Sequence, residues 1–151
     1  MATIGSLVRD RPLFSVGQQT KVLEAARYMA DKNVGALAVV DGTRLVGIFS
    51  ERDVIKRVIA KQLDPQSVAV EEVMTRDLVV ADVAESEDDC LRKMKAAGCR
   101  HLPVVSGDRL VGMISLRDLL QVGLIEREEK LEYLTSHMFN VSSDPEKRKK
   151  L

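Results

Sequence analysis

Apolar and polar positions follow two different periods along the first sixty residues. From 20 to 33 apolar side chains recur at intervals of three and four, which predicts an amphipathic helix capped by Thr20 and ended at Asn33. Short β-branched runs predict strands, and Asp41-Gly42 predicts a hairpin turn between two of them. The predicted elements are a strand at 13–16, a helix at 20–33, strands at 36–40 and 45–50, and a helix at 51–62.

The second part of the chain predicts the same order of elements. These are strands near 78–83, at 102–105 and at 110–115, with helices at 86–97 and from 116 to about 134. The charged, turn-rich tail 142–151 predicts a frayed end.

The two parts are copies of one another. Aligning Gly112 with Gly47 gives an offset of 65 residues that holds without a gap. The matched pairs include Val8 and Val73, Arg11 and Arg76, Leu13 and Leu78, Arg27 and Arg92, Met29 and Met94, and the runs 44–47 and 109–112. The chain is therefore a tandem duplication.

The duplication predicts the fold class and the domains. Each repeat is a β-α-β-β-α unit, too small to bury a core alone, so we expect an α/β (α+β) fold with two units packed sheet to sheet and related by a pseudo-twofold axis. The predicted boundaries are 4–64 for the first repeat, 65–125 for the second, and 126–151 for the end of the last helix and the tail.

Composition narrows the classes of function. With 23 basic and 23 acidic side chains, 3% aromatic residues and no Trp, the sequence favours neither a nucleic-acid nor a membrane partner. No apolar run approaches the ~20 residues that span a bilayer. Cys90 and Cys99 form no CxxC pair, so we expect reduced, partly buried thiols in a cytoplasmic protein. The basic run 147–150 is expected to be solvated rather than functional.

Polar residues gather where a strand turns into a helix. Ser50, Arg52 and Asp53 do so in the first repeat, and the aligned copy repeats all three residue types. A helix N-terminus suits a phosphate, and a carboxylate in its first turn can accept hydrogen bonds from the two hydroxyls of a ribose. The alternative is helix capping by the serine and the acid. Capping does not explain Arg52, because a cation in the first turn opposes the helix dipole.

The repeated pattern G-[IM]-[FI]-S-x-R-D, with RHLPVV at 100–105 before its second copy, resembles tandem cystathionine-β-synthase (CBS) domains, the Bateman module. The resemblance spans about residues 4–125 and implies a small stand-alone member whose ligand contains adenosine: AMP, ADP, ATP or NAD, with S-adenosylmethionine ranked after them. The first site it implies consists of Ser50, Arg52 and Asp53, with Ser15, Val16, Gly35, Ala36 and Leu37 around the base. The second consists of Ser115, Arg117 and Asp118, with Val80, Ala81, Arg100, His101 and Leu102.

The leading hypothesis is a non-enzymatic regulatory module that senses adenine nucleotides. We expect a homodimer, because the helix from 116 carries more apolar residues than one stripe needs, and a regulated protein whose identity the sequence does not give. No catalytic residues, catalytic cofactor or metal site are expected, since His101 has no partner at ligand spacing. The alternatives are a structural or interaction module with vestigial clefts and, weakest of the three, an oxidoreductase using NAD.

The two clefts are expected to differ in affinity or ligand. Arg100-His101 of the second repeat align with Gly35-Ala36 of the first, so charge and shape change between the copies.

Overall fold

The computed structural model describes residues 3–141, without the side chains of residue 125 and of 136–141. The helices are α1 Ile4–Val8, α2 Val22–Lys32, α3 Glu51–Asp53, α4 Val70–Val73, α5 Glu87–Ala97 and α6 Leu116–Val141, and a π-helical stretch, Val54–Ile59, continues α3. The strands are β1 Ser15–Gly17, β2 Ala36–Asp41, β3 Arg44–Ser50, β4 Ala81–Asp82, β5 His101–Ser106 and β6 Arg109–Ser115. The chain forms two compact units, the first ending at Leu116 and the second beginning at Arg117.

The six strands form one sheet in the order β1-β2-β3-β6-β5-β4. The strands of the second repeat thus follow one another across the sheet in the reverse of the order found in the first. In each repeat the first strand lies parallel to the second, and the second and third form an antiparallel hairpin. A single residue pair, Arg44 with Arg109, joins β3 to β6. The predicted fold class is confirmed.

Most predicted elements form close to their predicted bounds, but the strand predicted near 78–83 comprises only Ala81–Asp82, and the last helix continues to Val141 rather than ending near 134. Two further differences are local. Helix α2 begins after Lys21 rather than at a Thr20 cap, and no side chain caps it. The helix predicted over 51–62 is α-helical only at its start and π-helical from Val54 to Ile59. The predicted stop at Asn33 is confirmed, since this residue adopts the left-handed conformation with φ 55°. The tail 142–151 lies outside the described residues.

The short N-terminal helix α1 packs against the second repeat. The backbone N–H groups of Ile4 and Gly5 donate to the carbonyls of Glu85 and Val83, each at 2.9 Å. A methyl group at Gly112 on β6 would lie 2.7 Å from Cβ of Val8, so this glycine allows the helix to approach the strand closely.

Residues 70–75, at the start of the second repeat, form a connecting segment. This segment packs against the first repeat much as α1 packs against the second. Ile48 on β3 exchanges two backbone hydrogen bonds with Thr75, at 3.0 and 2.8 Å. The Met74 side chain lies against Gly47, the residue aligned with Gly112. Each repeat therefore packs against the segment that precedes the other repeat in the sequence. The strands of neither repeat are covered by the segment that precedes that same repeat.

The core of the first repeat combines its sheet with this connecting segment. Its buried residues are Val22, Ala25, Met29, Leu37, Val39, Phe49, Val58, Val70, Val73 and Met74. No helix within residues 3–141 has both the length and the apolar character that crossing a bilayer requires.

We predict that Gly112→Ala lowers the free energy of unfolding by ~1–3 kcal/mol, because the new methyl group must displace Val8 and α1. Gly123→Ala is the matched control, since open space surrounds Gly123 in α6 and alanine favours helix. Urea denaturation measures both, and adding Val8→Ala should relieve part of the Gly112→Ala penalty. Equal stability of the two alanine variants would contradict the close contact.

We also predict that iodoacetamide at pH 8 labels Cys99 well before Cys90. Cys90 is fully buried on α5, and burial, followed by the charge of Glu85, raises the pKa of its thiol to about 11. Cys99 is half-buried. Mass spectrometry of the native protein, of Cys90→Ala and of Cys99→Ala measures the rates, and equal labelling in the native protein would refute the assignment.

Candidate functional site

Both predicted sites are built where a helix begins beside the start of a strand. The first N–H group of α3, on Glu51, donates to the carbonyl of Gly35 at 3.0 Å. Across the hairpin, Ala36 pairs with Ser50. The structure thus brings Gly35, Ala36 and Ser50 together at one end of the first repeat.

The second repeat forms the same arrangement. The N–H group of Leu116 donates to the carbonyl of Arg100 at 2.8 Å, and His101 pairs with Ser115. Arg100 is exposed and His101 half-buried. Asp118 lies in the first turn of α6. Arg117 and Asp118 belong to the second unit, and Arg117 is exposed.

The Asp53 carboxylate is buried, 6% exposed, and held by neighbours on both of its oxygens. Oδ2 accepts hydrogen bonds from the backbone N–H of Ser50 at 2.9 Å and from its hydroxyl at 3.2 Å. Oδ1 accepts from the hydroxyl of Thr75 at 3.2 Å and lies 3.6 Å from Nε of Arg57. A carboxylate offers about four lone-pair positions, so these neighbours occupy most of its accepting capacity.

The Ser50–Asp53 pair forms a reciprocal capping box, in which each residue bonds the backbone N–H of the other. The same box recurs at the start of α5 between Ser86 and Asp89. There the backbone hydrogen bond from Ser86 lowers the pKa of Asp89. The capping interpretation of the first motif therefore describes a real interaction, whatever else the motif does.

Arg52 takes no part in this cap. Its side chain is exposed, one position before the buried Asp53. Arg57 instead supplies the guanidinium next to Asp53, and it also donates to the carbonyls of Met74 at 2.8 Å and Val73 at 3.3 Å. Arg52, which capping does not explain, therefore lies exposed at the start of α3.

Residues of the two predicted sites meet at Gly35. A methyl group on this glycine would lie 2.6 Å from Oε1 of Glu51 and 3.5 Å from Cε1 of His101. His101 belongs to the second repeat, so the two repeats approach each other here. A side chain at position 35 would have to displace the carboxylate end of Glu51 and would contact the His101 ring.

The remaining predicted residues divide between a groove and the core. Ser15 and Val16 line a groove of about 510 Å³ between β1 and α2, together with Glu24 and Tyr28. Three of the predicted residues have fully buried side chains: Leu37, Ala81 and Leu102. These residues could offer a ligand little beyond their backbone groups. The carbonyl of Val80 accepts a hydrogen bond from Lys93 at 2.8 Å.

Sequence reasoning missed three residues of this site: Glu51, Arg57 and Thr75. Arg57 follows Asp53 by four positions on one helix, a spacing that signals an ion pair. Thr75 follows it by 22 positions, and no pattern in the sequence links the two residues. Among the residues that the structure describes, no group of three or more His, Cys, Asp or Glu side chains is placed to hold a metal ion.

Known proteins are similar to this chain in sequence and in fold. A 17.7 kDa protein from the bps2 3′ region of Acidianus ambivalens is 36% identical over 121 residues, covering 79% of this chain and 72% of that protein.

Among the similar solved structures are complexes with adenosine compounds. The CBS domain protein PAE2072 from Pyrobaculum aerophilum, complexed with AMP, matches with a TM-score of 0.71 and 26% identity over 77% of this chain and 88% of its own. The CBS domain pair of protein MJ0100, in complex with 5′-methylthioadenosine and S-adenosyl-L-methionine, matches with a TM-score of 0.74 and 25% identity over 83% of this chain and 98% of its own.

The sequence model of the CBS domain matches this chain twice, at residues 4–60 and 70–124. The two matches coincide with the two copies of the strand-to-helix site, and the chain belongs to the CBS-domain family.

Proposed function

We propose that the chain is a non-enzymatic regulatory module that binds an adenosine-containing ligand between its two CBS repeats. The observation that carries the proposal is the meeting of Gly35 from the first repeat with His101 from the second, beside helix starts with the same Ser-x-Arg-Asp pattern. The AMP bound to PAE2072 and the two adenosine derivatives bound to MJ0100 support this ligand class.

The chemistry of the site suits a ribose and an anionic group. A carboxylate in the first turn of a helix accepts hydrogen bonds from the two ribose hydroxyls, and the helix N-terminus favours a phosphate. Arg52 and Arg117 are exposed beside the two aspartates, where a guanidinium can form a charge-assisted hydrogen bond with a phosphate. AMP, ADP, ATP and NAD all offer a ribose and a phosphate, while S-adenosylmethionine offers the ribose and a carboxylate but no phosphate.

We propose further that a ribose binding at Asp53 displaces donors that already hold this carboxylate. Thr75 and Arg57 lie at Oδ1, so the ribose hydroxyls must compete with both of them. The residues aligned with Thr75 and Arg57 are Asp10 and Val122, so the two clefts differ in the residues at these positions.

The same competition offers a way to transmit the signal. Thr75 belongs to the connecting segment, and Arg57 donates to the carbonyls of Val73 and Met74 within it. A ligand that displaces these two side chains from Asp53 therefore changes how this segment packs on the first repeat. Such a ligand shifts the population between two packings, which a regulated protein can sense. We place this activity in the cytoplasm, because the two free thiols suit a reducing compartment.

We propose that the module acts as a homodimer. Ile55 and Ile59 are 64% and 59% exposed, one turn apart on the π-helical stretch. Water-exposed isoleucines in a pair favour burial against another subunit.

We predict that AMP binds the unmodified chain and that Asp53→Ala and Asp118→Ala together weaken this binding. Losing a hydrogen-bonded carboxylate partner costs a ligand ~2 kcal/mol, or more than tenfold in affinity. Isothermal titration calorimetry with AMP, ATP, NAD and S-adenosylmethionine measures the effect, and Asp88→Ala, in the first turn of α5, is the matched control.

Unchanged affinity in the variant that carries both Asp53→Ala and Asp118→Ala would contradict ribose binding at these carboxylates. Failure of every adenosine compound to bind, or to raise the melting temperature, would contradict the sensor function and favour the structural module with vestigial clefts.

We predict that Thr75→Val lowers the free energy of unfolding by ~1 kcal/mol, because it removes the hydroxyl that donates to the buried Asp53 carboxylate. Thr43→Val, the same change in the exposed hairpin turn, should stay within ~0.5 kcal/mol of the parent. Urea denaturation of both variants measures the difference. If the two variants are equally stable, Thr75 does not hold Asp53 in solution.

A further inference from the structure

Helix α6 carries a row of leucines that water reaches. Leu120, Leu124, Leu131 and Leu134 are 56%, 57%, 64% and 44% exposed. Every side chain from Glu126 to Thr135 is exposed as well. A single helix of this length without burial is only marginally stable in water, so the exposed part of α6 needs a partner surface.

The spacing of these leucines identifies the kind of partner. With Arg127 between them they follow intervals of four, three, four and three, and the sequence continues the same spacing at positions 138 and 141. This heptad pattern, with leucines at the a and d positions, is the signature of a coiled coil. The family match ends at residue 124, so Leu131 and Leu134 lie beyond the CBS repeats.

The charges favour pairing between identical helices. In this pattern Leu124 and Leu131 are a positions, while Arg127 is a d position whose neighbour Glu128 is an e position. In a parallel pair in register, the two d positions face each other and the e position of each helix flanks the d position of the other. The two Arg127 side chains therefore meet in the seam, and Glu128 of the opposite chain offsets the charge of each. An antiparallel pair with matched leucines would instead bring Glu128 near Glu128 and Lys130 near Lys130.

We propose that α6 pairs with α6 of a second copy as a parallel coiled coil in register, with Leu124, Leu131 and Leu134 in the seam. The proposal specifies one contact of the proposed homodimer and rests on that homodimer. The surface formed by Ile55 and Ile59 is distant from α6 in the sequence, and its part in the homodimer can be tested independently.

Disulfide trapping tests the register. In a Cys99→Ser background, Leu134→Cys places a thiol in the seam, and Glu129→Cys places one at the f position on the opposite side of the helix. Mild oxidation at micromolar protein should give a disulfide-linked dimer with Leu134→Cys far faster than with Glu129→Cys. Equal rates, no dimer, or a dimer only when Leu124→Cys is mixed with Leu134→Cys would overturn the parallel arrangement.

Sedimentation equilibrium tests the pairing itself. Leu131→Glu combined with Leu134→Glu should weaken self-association by about 100-fold or more, because the seam loses apolar burial and gains like charges. Tyr133→Glu, an exposed apolar-to-acid change off the seam, should leave it unchanged. Circular dichroism checks folding, and AMP titration of the double variant reports on the nucleotide site separately. A double variant that remains a dimer would overturn the coiled coil while leaving the homodimer and ligand binding intact.

Discussion

The close approach of a valine or methionine side chain to a strand glycine is the contact on which the fold depends. Val8 lies over Gly112 and Met74 over Gly47, so each sheet is covered by the segment that precedes the other repeat. A β-α-β-β-α unit of this size cannot bury its sheet alone. The exchange of covering segments makes each repeat depend on the other for the burial of its strands, and both contacts use the duplicated glycines at positions 47 and 112.

The same exchange decides how the candidate site is built. It brings Thr75 to Asp53 and Arg57 to the carbonyls of Met74 and Val73. Residues that hold the connecting segment in place therefore also occupy the carboxylate that a ribose would use. In the proposed mode of binding, stability and the ligand compete for this one side chain of the first repeat. The residues aligned with Thr75 and Arg57, Asp10 and Val122, are of other types.

Local patterns predicted most of the elements, and contacts between distant residues account for what they missed. The amphipathic helices and the two hairpins follow from periodicity and from the Asp-Gly and Ser-Gly-Asp turns. Helices α1 and α4 have five and four residues, too few for a period to show, and packing on the other repeat positions them. The duplication located Ser50 and Asp53, but the Thr75 hydroxyl that donates to Asp53 lies 22 residues away and is absent from the second copy.

A crystal structure of the chain grown with AMP is the sharpest test of the proposed function. We expect electron density for the nucleotide between the repeats, with its ribose hydroxyls on the carboxylate of Asp53 or of Asp118. A nucleotide that avoids both aspartates, or no nucleotide between the repeats at saturating AMP, would refute the proposed site.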